Sequence, residues 1–366
     1  MKTHDLFYVP LSFLVFVLLL AALYFPHQNR PPIDRQIMFQ VASETGSKSA
    51  RFNSVESEFD FRLTYDWEDF NENDFSVSFS LSKNALKEAE DEFGFYPDEF
   101  EKYVAGKLTP LRNEMIVHLK KITQKLIKKS KYSEHFFIDE DNPDSFNLRL
   151  TSPPLMQSQL RSEFKRITSE IARQQTKYYK KIESASLVHK RDFLQNSGLR
   201  YIGDKIGVNY GLLVKINQER VRQVFQNLLE ESRGLNFQQF LSFLLSYIQE
   251  IRYSIPPVME NGKYIMGFWV PPKVLINNFG DCDSKGVTFA SLWINFKKYP
   301  ILLIQIPKHL FIGLAVPSFS EEGVTINGLR YTLCEVTGPD KIPPGMIAPY
   351  SQLHLDGGNY TYELIK

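Results

Sequence analysis

The cysteine in a Gly-Asp-Cys-Asp sequence has the surroundings that most clearly indicate chemistry. Cys282 stands at the start of an apolar run, residues 287–296, whose near-helical spacing predicts a buried helix beginning at or next to the cysteine. A thiol in the first helical turn lies near unpaired backbone N–H groups and the positive end of the helix dipole. Both favour the thiolate, which is the nucleophile, so we expect Cys282 to have a lowered pKa. Asp281 would oppose this, and we assign it a structural role as a helix cap.

A histidine and a carboxylate follow the cysteine on predicted strands. His309 begins the strand predicted over 309–316, and Glu335 lies on the strand predicted over 331–337. Cysteine, histidine and carboxylate are the groups of an activated sulfur nucleophile. The structural alternatives are a buried thiol, a strand histidine, and a buried carboxylate that needs a partner. By strand alternation Cys334 faces away from Glu335, which predicts a core residue rather than a disulfide partner for Cys282.

Several segments carry a family resemblance. They are the end of a predicted helix at 247–253, Val270-Pro271-Pro272-Lys273-Val274-Leu275, the Gly280-Asp281-Cys282-Asp283 turn, and Cys334-Glu335-Val336-Thr337. Together they resemble the transglutaminase-like cysteine proteases and amidases, a superfamily that shares the papain-type core. The resemblance covers roughly residues 236–340. Two departures are Glu335, where aspartate is commoner, and the Leu310-Phe311 pair after His309.

The resemblance implies a C-terminal domain in which a nucleophile helix packs on an antiparallel sheet. It also implies Cys282 as nucleophile, His309 as general base and Glu335 as the group that orients the imidazole. The expected reaction is cleavage of an amide or peptide bond of a protein or peptide substrate through a thioester, with transamidation as a variant. The alternative is an inert transglutaminase-like module that binds a protein or cell-envelope partner.

The oxyanion stabiliser is less evident from the sequence. The backbone N–H of Cys282 is one expected donor. For the second donor the sequence offers Gln249, in the helix before the site, Trp269, in the approach segment, or Asn278. Each of these also has a simple packing interpretation.

Composition excludes several classes of protein. The chain has 366 residues, a net charge of +1 and two cysteines. A nearly neutral chain lacks the charge of a nucleic-acid binder, and two cysteines cannot build a disulfide framework. The histidines show no spacing typical of a catalytic metal site, so we expect neither metal nor cofactor.

Two lysine- and arginine-rich helix faces (120–129 and 161–177) are interpreted as solvated, with docking to an anionic lipid or polymer as the alternative.

The apolar segment 6–25 is long enough to span a bilayer, so we predict a membrane anchor in residues 1–30, with a cleaved signal peptide as the rival interpretation. The predicted protein is therefore single-pass. Lys2 before the segment and Arg30 and Arg35 after it make the positive-inside rule nearly silent, with a slight preference for a cytoplasmic body. An anchor before a hydrolase-like body is more usual for export, so we predict an extracytoplasmic body. A linker over 31–55, an α+β domain over 56–198 and the transglutaminase-like domain over 199–366 complete the predicted α+β fold.

Five local predictions serve to place these domains. Alternating apolar residues predict a hairpin over 59–81 and a strand over 206–214. Thr109 and Pro110 predict a helix start, and a helix is expected over 217–231. Asn236 with Gln239 predicts a capping box at the start of another helix.

Overall fold

The computed structural model describes residues 51–139, 146–151, 157–296, 299–316, 323–337 and 341–366. These form two compact units. The helical unit comprises the described residues of 98–192. The site unit comprises residues 51–97 and the described residues of 193–366. The predicted domain boundary between 198 and 199 stays a prediction, and the compact units divide the chain differently.

The described residues form a mixed α and β structure, and the predicted fold class needs one correction. The predicted membrane-spanning segment, 6–25, lies outside the described residues. Within the residues that the structure does describe, every helix is too short or too polar to cross a bilayer. The described residues therefore do not supply the predicted transmembrane helix and do not support the predicted single-pass membrane localisation.

The helices of the described residues are α1 (Lys83–Asp91), α2 (Pro97–Lys129), α3 (Gln157–Asn196), α4 (Tyr210–Asn217), α5 (Arg222–Glu231), α6 (Phe237–Glu250), α7 (Pro271–Asn277), α8 (Cys282–Trp293) and α9 (Pro349–Asp356). The strands are β1 (Arg51–Glu56), β2 (Asp60–Glu68), β3 (Asp74–Ser82), β4 (Phe136–Asp139), β5 (Asn147–Leu150), β6 (Leu199–Ile202), β7 (Lys205–Val208), β8 (Arg252–Tyr253), β9 (Met259–Glu260), β10 (Lys263–Tyr264), β11 (Phe279–Gly280), β12 (Ile301–Ile306), β13 (His309–Leu314), β14 (Val324–Ile326), β15 (Leu329–Cys334) and β16 (Thr361–Ile365).

The helical unit is built from most of the long helices α2 and α3. The two helices lie side by side, since the rings of His118 and Tyr178 are 5.2 Å apart and Lys181 lies 3.5 Å from Glu114. The antiparallel hairpin β4–β5 belongs to the same unit. A small apolar core joins helices and hairpin: Leu119, Phe136, Leu160, Ile167 and Ile171.

The prediction of a helix start at Thr109 and Pro110 is wrong. Helix α2 begins at Pro97 and contains Pro110 in its interior. Proline has no N–H to donate to the preceding turn, and its ring normally disfavours such a position. The hydroxyl of Thr109 donates to the Ala105 carbonyl at 3.0 Å, which uses an acceptor in that turn.

In the site unit, the predicted hairpin over 59–81 is confirmed as β2 and β3, which pair in antiparallel register with β1 on the outer side of β2. The inner face of this sheet packs on α6. Trp67 donates its indole N–H to the Ser246 hydroxyl at 3.1 Å, and the rings of Tyr65 and Tyr247 are 5.1 Å apart. The sheet thereby fixes the helix that precedes the candidate site.

The helix that begins at Cys282 packs on an antiparallel sheet of strand order β14-β15-β13-β12-β16. Nearly every residue of α8 is buried. Gly286 allows the helix to approach β13 closely, because a β-carbon at this position would lie 2.4 Å from Leu310 Cδ2. The cysteine is therefore held against the strand that carries His309.

Two further predictions required correction. The strand predicted over 206–214 ends at Val208, because the side chain of Asn209 accepts a hydrogen bond from the Leu212 N–H and starts α4 at Tyr210. The helix predicted over 217–231 begins only at Arg222. The capping box at Asn236 and Gln239 is confirmed, with both reciprocal hydrogen bonds present.

Candidate active site

Cys282 is the first residue of α8 and is buried. Asp281 caps the helix, since its carboxylate accepts from the Ser284 N–H at 2.9 Å. Gly280 precedes it because the backbone passes close to side chains: a β-carbon there would lie 3.2 Å from Lys285 Cγ and 3.3 Å from Val274 Cγ1. The Gly-Asp turn thus serves to place the cysteine, as its sequence indicates.

The sulfur of Cys282 has an acidic neighbour in the structure. Its thiol donates to Asp283 Oδ1 at 3.3 Å, and the hydroxyl of Tyr210 donates to Asp283 Oδ2 at 2.5 Å. Burial raises the pKa of Cys282 well above its ordinary value, and the charges of Asp283 and Asp281 raise it further. A hydrogen bond from the Leu310 backbone N–H lowers the pKa but does not offset these effects. The expectation of a lowered pKa for this thiol is wrong, because burial and two carboxylates outweigh the helix start.

His309 is held at the head of β13 by a tight turn. Residues Ile306 and His309 pair across the turn formed by Pro307 and Lys308. The Nε2 atom of His309 lies 2.7 Å from Glu335 Oε2. Because Nε2 faces the carboxylate, Nδ1 is the nitrogen left to accept a proton from another group.

Glu335 comes directly after β15 and is wholly buried. Its Oε2 atom contacts His309, while its Oε1 atom accepts from the Ala348 N–H at 3.2 Å and from the Ser351 hydroxyl. Both donors lie at the start of α9, a helix that sequence reasoning did not connect to the site. Because both oxygens of the carboxylate are hydrogen-bonded, its burial is tolerated and its orientation is fixed.

Gln249 does not fit the predicted role of oxyanion donor. Its Nε2 atom donates to the Glu335 carbonyl at 2.7 Å and to the Ile342 carbonyl at 2.8 Å, while its Oε1 atom accepts from the Ile342 N–H at 3.1 Å. An amide nitrogen has two hydrogens, and these two bonds use both of them, so none is left to donate to an oxyanion. Gln249 instead anchors the backbone of Glu335.

Trp269 and Asn278 each have a buried side-chain atom without a hydrogen-bond partner among the described residues. The indole N–H of Trp269 is buried, and no described residue accepts a hydrogen bond from it. Its backbone N–H donates to the Ser284 hydroxyl at 3.0 Å, which ties the approach segment to α8. Asn278 ends α7 in a left-handed conformation, and its side-chain oxygen also has no described partner.

Cys282 and His309 line the same cleft, which measures about 180 Å³. Its other walls include Tyr210, Asp283 and Lys308. A thiol, an imidazole and a buried carboxylate behind the imidazole are together capable of acyl transfer.

Three contributors to the site were missed or misplaced by sequence reasoning. Tyr210 was placed on a strand, although Asn209 before the run Tyr210-Gly211-Leu212 is a possible helix cap. Ser351 lies sixteen residues beyond Glu335, and no sequence pattern indicates their contact. Asp283 was noted only as part of the turn, without its contact to the sulfur.

Comparison with known proteins found no matching family model, no matching curated protein and no matching solved structure.

Proposed function

We propose that this chain is a cysteine hydrolase of the transglutaminase-like kind, which cleaves an amide or peptide bond through a thioester. The observation that carries the proposal is Glu335, a wholly buried carboxylate bonded to the imidazole of His309 in a cleft shared with Cys282. The sequence resemblance over 236–340 supports the same assignment.

In the acylation step, Nδ1 of His309 takes the thiol proton while the sulfur of Cys282 bonds to the substrate carbonyl carbon. Glu335 accepts the Nε2 hydrogen, fixes the tautomer and stabilises the imidazolium that forms. The imidazolium then donates its proton to the leaving amine as the carbon–nitrogen bond breaks. The products of this step are a free amine and a thioester on Cys282.

In the second step, water gives a proton to His309 and adds to the thioester carbonyl. The carbon–sulfur bond breaks, the thiol regains its proton from the imidazolium, and a carboxylic acid leaves. In both steps the Cys282 backbone N–H is one donor to the oxyanion. Neither Trp269 nor Gln249 lines the cleft, so we assign no second side-chain donor to the oxyanion.

A second candidate function has one observation in its favour. The thiol of Cys282 is directed at Asp283, and its pKa is raised. An inert module that binds a protein partner would have no need of a reactive thiolate. The enzyme assignment requires that the thiol be deprotonated by His309 during the reaction rather than at rest.

The proposal is tested with p-nitrophenyl acetate, an activated ester that acylates cysteine without demanding a particular substrate. We expect acetylation at Cys282, detected by peptide mass, and His309-dependent hydrolysis of the resulting thioester. His309→Ala should slow acetylation by about 10²-fold or more, as general-base catalysis contributes about 10²–10⁴. Cys334 is the internal control, since burial raises its pKa to about 12.

Substitutions of Glu335 sharpen the test. Glu335→Gln keeps the size but presents a donor to Nε2, which favours the wrong tautomer, whereas Glu335→Asp keeps the charge. We expect the Gln variant to lose about 10² in acetylation rate and the Asp variant much less. If wild type and His309→Ala acetylate Cys282 equally slowly, the binding-module alternative replaces the enzyme.

A further inference from the structure

Lys308 has a backbone conformation that lysine does not favour. Its φ is +63°, and it follows Pro307 in the turn between β12 and β13. Proline fixes φ near −65°, so the pair has the φ signs of a type II turn, whose second central residue is normally glycine or asparagine. A residue held in the left-handed region costs of order 1 kcal/mol, and such positions cluster at ligand sites.

Lys308 borders the cleft that holds Cys282. It lines the cleft together with Cys282 and is the residue immediately before His309. It is exposed, and its ammonium makes no hydrogen bond or ion pair with any described residue. Among the described residues, Lys308 is therefore a cation without a partner. It borders the cleft at a turn position where glycine would be less strained.

The two carboxylates of the cleft have hydrogen-bond partners other than Lys308. Asp281 caps α8, and Asp283 accepts hydrogen bonds from Tyr210 and from the thiol of Cys282. Neither carboxylate forms an ion pair with Lys308 in the described structure. A charge that the described residues leave unpaired beside the cleft is available to a ligand, and an ammonium selects an anionic one.

We propose that Lys308 forms an anion subsite that selects substrates carrying a carboxylate close to the amide to be cleaved. This inference rests on the proposed function, because it assigns a specificity to the same cleft. The carboxylate belongs to the substrate and lies beside the lysine, while the carbonyl to be attacked lies beside the sulfur. Lys308 is thus a recognition residue and takes no part in the proton transfers.

The test uses two alkylating reagents with the same reactive carbon, iodoacetate and iodoacetamide, which differ in a carboxylate and a carboxamide. Each bonds to the Cys282 sulfur through its methylene carbon with loss of iodide. The quantity measured is the ratio of the two labelling rates at Cys282, at low ionic strength. This ratio cancels changes in the reactivity of the thiol itself.

Variants are chosen to respect the turn. Lys308→Asn removes the charge with a residue that tolerates positive φ, and Lys308→Arg keeps the charge. We expect the iodoacetate-to-iodoacetamide ratio to fall about threefold to tenfold in the Asn variant and to stay near the wild-type value in the Arg variant. The difference should shrink in 0.5 M salt, where charges are screened within about 4 Å.

Lys205→Gln is the matched control, because Lys205 is an exposed lysine of the site unit that does not line the cleft. An unchanged ratio in Lys308→Asn, or an equal fall in Lys205→Gln, overturns the anion subsite. If that happens while p-nitrophenyl acetate still acetylates Cys282, only the subsite is lost. If neither reagent labels folded Cys282, the subsite and the proposed function are lost together.

Discussion

At the scale of single residues, the contact between Cys282 and Asp283 decides how the thiol behaves at rest. The carboxylate accepts the thiol hydrogen at 3.3 Å and is itself held by the hydroxyl of Tyr210. A negative charge beside a thiol disfavours its ionisation, and so does burial. Asp283 therefore favours the protonated thiol of Cys282 at rest. On the proposed function, a substrate and His309 would displace this arrangement.

Asp283→Asn should increase the reactivity of Cys282. The substitution removes a charge but keeps the size, so the pKa of the thiol moves down towards its ordinary range. We expect iodoacetamide labelling of Cys282 at pH 7.5 to accelerate about threefold to tenfold, since one unit of pKa changes the thiolate fraction about tenfold. The pH profile of the labelling rate should shift to lower pH by a matching amount.

Tyr210→Phe is the matched control for this substitution. It removes only the hydroxyl that donates to Asp283, so the carboxylate stays and becomes a stronger acceptor for the thiol. Labelling should therefore not accelerate in this variant. If Cys282 in the Asp283→Asn variant is labelled no faster than in wild type, the carboxylate does not suppress the reactivity of the thiol.

At the scale of elements, sequence patterns predicted those parts of the site that depend on local chemistry. The capping box at Asn236 and the helix that begins at Cys282 follow from residues a few positions apart. The contacts of Glu335 with Ser351 and of Asp283 with Tyr210 depend on which elements pack together, and these partners are far apart in sequence. Tertiary packing sets such contacts, so periodicity alone could not reveal them.

Helices α6 and α8 are joined by a buried lysine that no sequence pattern indicated. The ammonium of Lys285 donates to the Ile251 carbonyl at 2.7 Å and to the Gln249 carbonyl at 3.2 Å. These carbonyls lie at the end of α6, where helix carbonyls lack partners within the helix. Burial lowers the pKa of Lys285 from 10.5 to about 7.

This lysine should make the stability of the protein depend on pH. Below about pH 7 it is charged in both the folded and the unfolded chain, and the cost of burying the charge is fully present. Above that pH the folded chain loses a proton that the unfolded chain keeps up to about 10.5, so stability rises with pH. We expect the urea midpoint of wild type to increase between pH 6.5 and 8.5.

The comparison variant is Lys285→Met, which keeps an apolar chain of similar length without the titrating group. The urea midpoint of this variant should not rise over this pH range. Its value at any one pH also reflects the carbonyls of Gln249 and Ile251, which lose their donor. The pH range of this experiment stops below the ordinary pKa of cysteine. At more alkaline pH, the raised pKa of Cys282 would lower the stability of the folded protein and obscure the effect of Lys285. Equal slopes for the two proteins would contradict the buried lysine as the cause.

At the scale of the whole molecule, the helical unit interrupts the site unit in sequence. The chain leaves the site unit near residue 97 and returns near residue 193, and these two points are adjacent. The Gly94 N–H donates to the Ser197 carbonyl at 2.9 Å, and the rings of Phe95 and Phe193 are 6.1 Å apart. An insertion whose ends meet in this way does not require the host chain to stretch.

Residues 119–177 of the helical unit should therefore be removable without loss of the candidate site. Residues 119–177 contain all of its separate apolar core: Leu119, Phe136, Leu160, Ile167 and Ile171. Just before this segment, Glu114 of α2 contacts Tyr178 and Lys181 of α3, so the two helices are neighbours there. Antiparallel helices are commonly joined by loops of about two to five residues. A Gly-Asn-Gly-Ser turn can therefore replace the segment.

We expect the shortened protein to fold and to alkylate Cys282 with iodoacetamide at a rate within about twofold of the full chain, because every described hydrogen bond of Cys282, His309 and Glu335 lies in the site unit. The matched control is the shortened protein carrying His309→Ala, which should lose p-nitrophenyl acetate reactivity as the full-length variant does. A shortened protein that is folded by circular dichroism but unreactive at Cys282 would show that residues 119–177 contribute to the site. The described structure shows no hydrogen bond between residues 119–177 and Cys282, His309 or Glu335, so we expect the shortened protein to keep its reactivity at Cys282.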